Sequence, residues 1–180
     1  MQVGRLTPAH AAEYRALMLR AYAEQPEAFT STVAERERLP LELWVSRVSA
    51  DPEPTELVFG AFVDQRLIGV AGLRRHRRER TEHKATLFGM FVRSGWTGRG
   101  VGRALVEVVL EHARASPGLL VVQLTVAETN ARARHLYETC GFRPFGTEPF
   151  ANRHGERFVS LVHMWCPVGN EGEPATGGDG

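Results

Sequence analysis

Thr97-Gly98-Arg99-Gly100-Val101-Gly102-Arg103 is the stretch whose reading decides the fold. It follows an apolar, β-prone run over 84–92. It opens into a segment, 101–113, where Val101, Ala104, Leu105, Val108, Val109 and Ala113 recur at helical spacing. A strand that ends in glycines and turns into a helix is an anion site. The first-turn N–H groups lack partners, and the helix dipole favours negative charge there. Spacing excludes two phosphate motifs. A P-loop requires lysine after its second glycine, but Gly95 and Gly100 lead to Val101, and the sole lysine of the chain is Lys84. The dinucleotide fingerprint requires glycine where Arg103 or Leu105 stands. A generic phosphate cradle remains, beside the plainer reading of a glycine-rich connection between strand and helix.

Working outward, Thr7-Pro8 reads as a helix start, with Ala11, Tyr14, Met18 and Tyr22 on one face. A loop around Phe29 separates this helix from a second through Leu41, Trp44, Val45 and Val48. Runs 55–63 and 67–73 flank Asp64-Gln65-Arg66 and predict a hairpin. Downstream come a strand over 119–127, a short helix from Asn130 to its terminator Gly141, and strands over 142–150 and 157–164. The order predicts an α+β fold: a mixed, mostly antiparallel sheet with helices on both faces. A chain of 180 residues, 43% of them hydrophobic, suits one domain over 1–167. The Gly-, Glu- and Pro-rich stretch 168–180 reads as a disordered tail.

The glycine stretch and its flanks, from Met90-Phe91-Val92 through Gly98-Arg99-Gly100-Val101-Gly102-Arg103, resemble motif A of the GNAT acetyltransferase superfamily, Gln/Arg-x-x-Gly-x-Gly/Ala. Thr97 departs from it, standing where arginine or glutamine is usual, while Arg99 and Arg103 keep positive charge nearby. The segment Asn130-Ala131-Arg132-Ala133-Arg134-His135-Leu136-Tyr137-Glu138-Thr139-Cys140-Gly141-Phe142 matches the superfamily's N-x-x-A-x-x-L-Y-x-x-x-G-F pattern at every fixed position. Ala133 and Tyr137, four residues apart, share a helix face. The resemblance implies a GNAT fold that binds acetyl-CoA through Met90, Phe91, Val92, Thr97, Gly98, Arg99, Gly100, Val101, Gly102, Arg103, Asn130, Ala133 and Tyr137. It also implies acetyl transfer by direct attack of a primary amine on the thioester, with Tyr137 serving the departing thiolate.

A free alkylamine with pKa ~10.4 is neutral at pH 7 about once in 2,500, a deficit of roughly 4.6 kcal/mol, so a base matters. Relatives often carry a glutamate on the strand before the glycines, yet 85–92 contains no carboxylate. Glu82 and His83 at the start of that strand, Glu128 before Asn130, and Glu24 and Glu27 between the first helices are the candidates, beside water. The missing strand carboxylate keeps open a second reading, an acyl-CoA-binding sensor or scaffold with weak turnover. The acceptor class is a small molecule, an amino acid or a peptide terminus, and a homodimer is compatible with all of this.

A net charge of +1 argues against a globally basic nucleic-acid or membrane binder. The basic run Arg74-Arg75-His76-Arg77-Arg78-Glu79-Arg80 leaves RNA or ribosome association as a third reading, but no aromatics interleave it. Cys140 and Cys166 form no metal or disulfide pattern, and no metal is expected. With no signal-like or spanning apolar stretch, a cytoplasmic location is expected.

Overall fold

A computed structural model describes residues 1–51 and 54–169. Seven strands form one sheet in the order β1-β2-β3-β4-β5-β7-β6. They are β1 (Gln2–Arg5), β2 (Glu56–Val63), β3 (Arg66–Arg75), β4 (Lys84–Val92), β5 (Val121–Ala127), β6 (Arg143–His154) and β7 (Arg157–Pro167). Among the described residues only β4 and β5 pair in parallel, so the sheet is mixed and mostly antiparallel, as the order of elements predicts. The helices are α1 (Ala11–Glu24), α2 (Val33–Glu37), α3 (Leu41–Arg47), α4 (Val101–Arg114) and α5 (Ala131–Thr139).

β1 was not anticipated. Its four residues carry one apolar side chain, Val3, and they become a strand because Leu6, fully buried, anchors them and donates its N–H to the Val58 carbonyl at 2.8 Å. Five-residue α2 also escapes helical periodicity. It exists through a capping box in which the Thr32 side chain and the Glu35 carboxylate satisfy each other's backbone N–H groups. The first hairpin turns on Asp64 and Gln65 alone, both left-handed at φ 47° and 63°, and Arg66 already belongs to β3.

One core lies between the sheet and α4 with α5, built on Leu105, Val109, Leu110, Val122, Leu124 and Met164. A second lies between the sheet and α1 with α3, built on Tyr14, Met18, Trp44, Val70 and Phe91. Buried on both faces, β3 reads as a nearly continuous apolar run. α4 sits close against it, since a Cβ on Gly69 would meet the Leu105 Cδ1 at 3.1 Å. Leu105→Ala is expected to cost about 2–5 kcal/mol of stability. The check is a lower urea midpoint at an unchanged m-value.

The basic run is tied down along the sheet. Arg74 pairs with Glu56 at 2.7 Å and lies over the Phe88 ring, Arg75 donates to the Pro117 carbonyl, and His76 bonds Thr86. Val168, assigned to the tail by composition, is buried and donates its N–H to the Leu120 carbonyl at 2.9 Å. Gly169 also bonds that carbonyl. The packed chain therefore extends past 167; the rest of the expected tail, 170–180, lies outside the described residues. Among the described residues, no helix is long and apolar enough to cross a membrane.

Candidate active site

β4 and β5 stay paired only through Lys84↔Val121, Ala85↔Val122 and Thr86↔Gln123, then separate. On its other side β4 bulges. Gly89 and Met90 together oppose Ala71 of β3, and Gly89 takes φ +61°, which favours glycine. Past Thr86, the edge of β4 facing β5 has no strand partner, and its backbone groups face a cleft. The cavity there holds about 460 Å³ and runs from Thr97, Gly98, Gly100, Gly102 and Arg103 past Tyr137 to Gln25, Ala28 and Phe29.

The glycine end of the cavity presents positive charge. Gly100 caps α4 from φ +79°, with no side-chain cap. The first helical bond from this turn is Ala104 N–H to Gly100 O at 3.0 Å. The N–H groups of Val101, Gly102 and Arg103 ahead of it have no intrahelical partner and carry the positive end of the dipole. Positive side chains reinforce them. Arg103 lines the cavity while pairing with Glu107 at 3.3 Å. Arg132, from the first turn of α5, crosses over the loop, its Nη2 lying 3.6 Å from where a Cβ on Gly98 would sit. Arg132 was not singled out by sequence, and it restores the charge that Thr97 does not supply.

Met90, Phe91, Val92, Thr97, Gly98, Gly100, Gly102, Arg103, Asn130, Ala133 and Tyr137 all border this cavity. Two expected contacts do not present their side chains to it. Val101 is turned into the core, and Arg99 stacks over the Trp96 ring at 5.1 Å. The Asn130 side chain accepts from Ala133 N–H at 3.0 Å, which starts α5 at the cavity wall. Tyr137 is 6% exposed, with its ring edge-on to Phe142 at a centroid distance of 5.9 Å. Burial, with a smaller contribution from Cys140, pushes its phenol well above its ordinary pKa. It is therefore protonated, a donor, throughout the neutral range.

None of the five base candidates lines the cavity. Glu82 and His83 belong to the opposite, closed end, where the His83 carbonyl accepts from Leu120 and Val121 as β4 and β5 come together. Glu24 pairs with Arg20, and Glu128 is exposed beside β7. Glu27 stands at the rim, bonded to Thr129 at 3.1 Å and Arg157 at 3.4 Å. Sequence reasoning also missed Gln25, Phe29, Thr125 and His135 in the lining. Thr125, a polar residue between buried Leu124 and Val126, is the one that carried a signal. Among the described residues, no group of His, Cys, Asp or Glu could hold a metal ion.

Comparison with known proteins agrees with this geometry. Residues 17–142 match the model of the Acetyltransferase (GNAT) family. The chain is 31% identical over 147 residues to the L-amino acid N-acetyltransferase AaaT of Escherichia coli K12, covering 81% of this chain and 88% of that one. It is also 31% identical over 129 residues to mycothiol acetyltransferase of Rhodococcus jostii, spanning 71% of this chain but 40% of that protein. Among solved structures, a GNAT-family acetyltransferase from Streptococcus pneumoniae superposes with a TM-score of 0.81 at 26% identity, covering 93% of this chain and 99% of that one. The yncA protein of Salmonella typhimurium, solved with its cofactor acetyl-CoA, shares the fold with a TM-score of 0.79 at 18% identity over 98% of each chain. This chain belongs to the GNAT family of acetyltransferases, enzymes that take their acyl group from acetyl-CoA.

Proposed function

We propose that the cleft between β4 and β5 binds acetyl-CoA and transfers its acetyl group to a primary amine of a small molecule, an amino acid or a peptide terminus. The observation that carries this reading is the alignment, in one cavity, of the unpaired N–H groups at the start of α4 with buried Tyr137. The pyrophosphate belongs at Val101, Gly102 and Arg103, with Arg132 as the added cation. The unpaired edge over 87–92 suits the amide groups of the coenzyme arm, as an added strand would. The acyl carbon then lies near Tyr137, and the amine arrives from the end lined by Gln25, Ala28 and Phe29.

In the transfer, the amine nitrogen bonds to the acyl carbon, the carbon–sulfur bond breaks, and sulfur leaves with the electron pair. The amine nitrogen gives up one proton, and the thiolate gains one. Tyr137 steadies the departing sulfur with its O–H. With no carboxylate in the described lining, the proton lost by the amine passes to water. The rate then follows the free-amine fraction: kcat/KM for an alkylamine is expected to rise about tenfold per pH unit from pH 6 to 8.5. A plateau beginning near pH 6–7 would instead show a side-chain base. The relative AaaT is named for acetylating L-amino acids, which makes these first on a panel. The test is thiol release from acetyl-CoA in the presence of primary amines. Coenzyme binding without amine-dependent release across the panel would contradict the proposed transfer.

A further inference from the structure

The acceptor end of the cavity carries a charge arrangement that acetyl-CoA binding does not use. Glu27 lies in the 3-10 turn Pro26–Ala28, directly before the lining residues Ala28 and Phe29. One of its carboxylate oxygens accepts from Thr129, next to lining residue Asn130, and the other from Arg157 across the sheet. Arg157 begins β7, in register with His154 on β6, so their side chains share a face. The Nε2 of His154 is buried with no hydrogen-bond partner. A carboxylate and a guanidinium thus meet beside the rim formed by Ala28 and Asn130, with His154 opposite Arg157 in the hairpin.

The pair between Glu27 and Arg157 is a loose one. It rests on a single 3.4 Å contact, and the Arg157 side chain is 81% exposed. Pairs of this kind contribute about 0–1 kcal/mol, so a ligand with the complementary charges can open it at little cost. A free α-amino acid is such a ligand, carrying an amino group and a carboxylate on one carbon. A peptide terminus or a simple amine lacks that carboxylate.

We propose that Arg157 and Glu27 form a clamp for the α-carboxylate and α-amino groups of a free amino acid acceptor. Arg157 donates its fork of N–H groups to the carboxylate. Glu27, outside the lining, accepts hydrogen bonds from the ammonium form as it arrives, before the proton is lost to water. Arg157 lies beyond the family-matched residues 17–142, in a hairpin that the family model does not fix. The clamp rests on the reading of this cleft as an acetyl-transfer site, and it narrows the acceptor from primary amines to free amino acids.

The experiment compares L-amino acids with their own carboxamides, which keep the amine and side chain and remove the carboxylate charge. Steady-state kinetics with saturating acetyl-CoA give the acid-to-amide ratio of kcat/KM for the wild type, Arg157→Gln and Glu27→Gln. The coenzyme Kd is measured on each preparation. The wild type is expected to favour the acids about tenfold or more. Arg157→Gln is expected to lower that ratio about tenfold through KM, whereas Glu27→Gln raises KM for acid and amide alike. A wild-type ratio near one, or a ratio that Arg157→Gln leaves in place, overturns the clamp. A wild type that binds acetyl-CoA but acetylates neither series overturns the transfer reading, and the clamp with it.

Discussion

Gly100→Glu is expected to weaken acetyl-CoA binding by a hundredfold or more, measured by calorimetric titration. Gly100 caps α4 at φ +79°, and a Cβ added there meets nothing within 4 Å. The protein around Gly100 therefore has room for a Cβ. A carboxylate at this position sits at the positive end of α4, beside the N–H groups of Val101, Gly102 and Arg103, where it competes with phosphate and repels it. Hydrogen bonds to charged groups contribute about 1.5–3 kcal/mol each, so losing two of them accounts for a hundredfold change. The left-handed backbone costs any non-glycine residue about 1–2 kcal/mol, which lowers stability without touching the ligand. Gly100→Ala isolates that part: a comparable loss of stability, with most coenzyme affinity retained.

Tyr137→Phe is expected to lower kcat by roughly 10- to 150-fold at saturating acetyl-CoA, the kinetic equivalent of a 1.5–3 kcal/mol hydrogen bond to a developing anion. Coenzyme Kd should change by less than about twofold, because the ring and its contact with Phe142 survive the substitution. Burial also defines how the hydroxyl acts. A phenol near pKa ~10 and a thiol near ~8.5 already make full proton transfer uphill by about 2 kcal/mol in water. The burial that raises the Tyr137 phenol further makes donation of a hydrogen bond, rather than of the proton, the favoured form of help. Equal losses in kcat and in coenzyme affinity would assign Tyr137 to packing alone.

The sequence was most legible where local chemistry and tertiary environment agree. Lys84–Val92 forms as β4 with the bounds its β-prone run predicts, and the α4 stripe through Leu105 and Val109 faces the core. Asn130 caps α5 through its own side chain, so that boundary is fixed within four residues. β1 was hidden because its structure depends on β2, more than fifty residues away, rather than on its own polar residues. The glycine end of the site was readable because helix-terminus chemistry is local. The opposite rim was not, since Glu27, Thr129 and Arg157 meet only after the chain closes over separations of 102 and 130 residues. Glu82 and His83 show the same limit in reverse. They are close in sequence to the site-forming strand yet lie at its closed end, because a strand advances about 3.3 Å per residue.

Amide hydrogen exchange with and without coenzyme A reads the proposed ligand position at named backbone groups. Exchange is expected to slow at Val101, Gly102 and Arg103, and along 87–92 of β4, with little change at β1 or at the closed end around His83. Protection centred elsewhere, with the amides of Val101, Gly102 and Arg103 exchanging as fast as in the free protein, would overturn the placement of the coenzyme in this cleft.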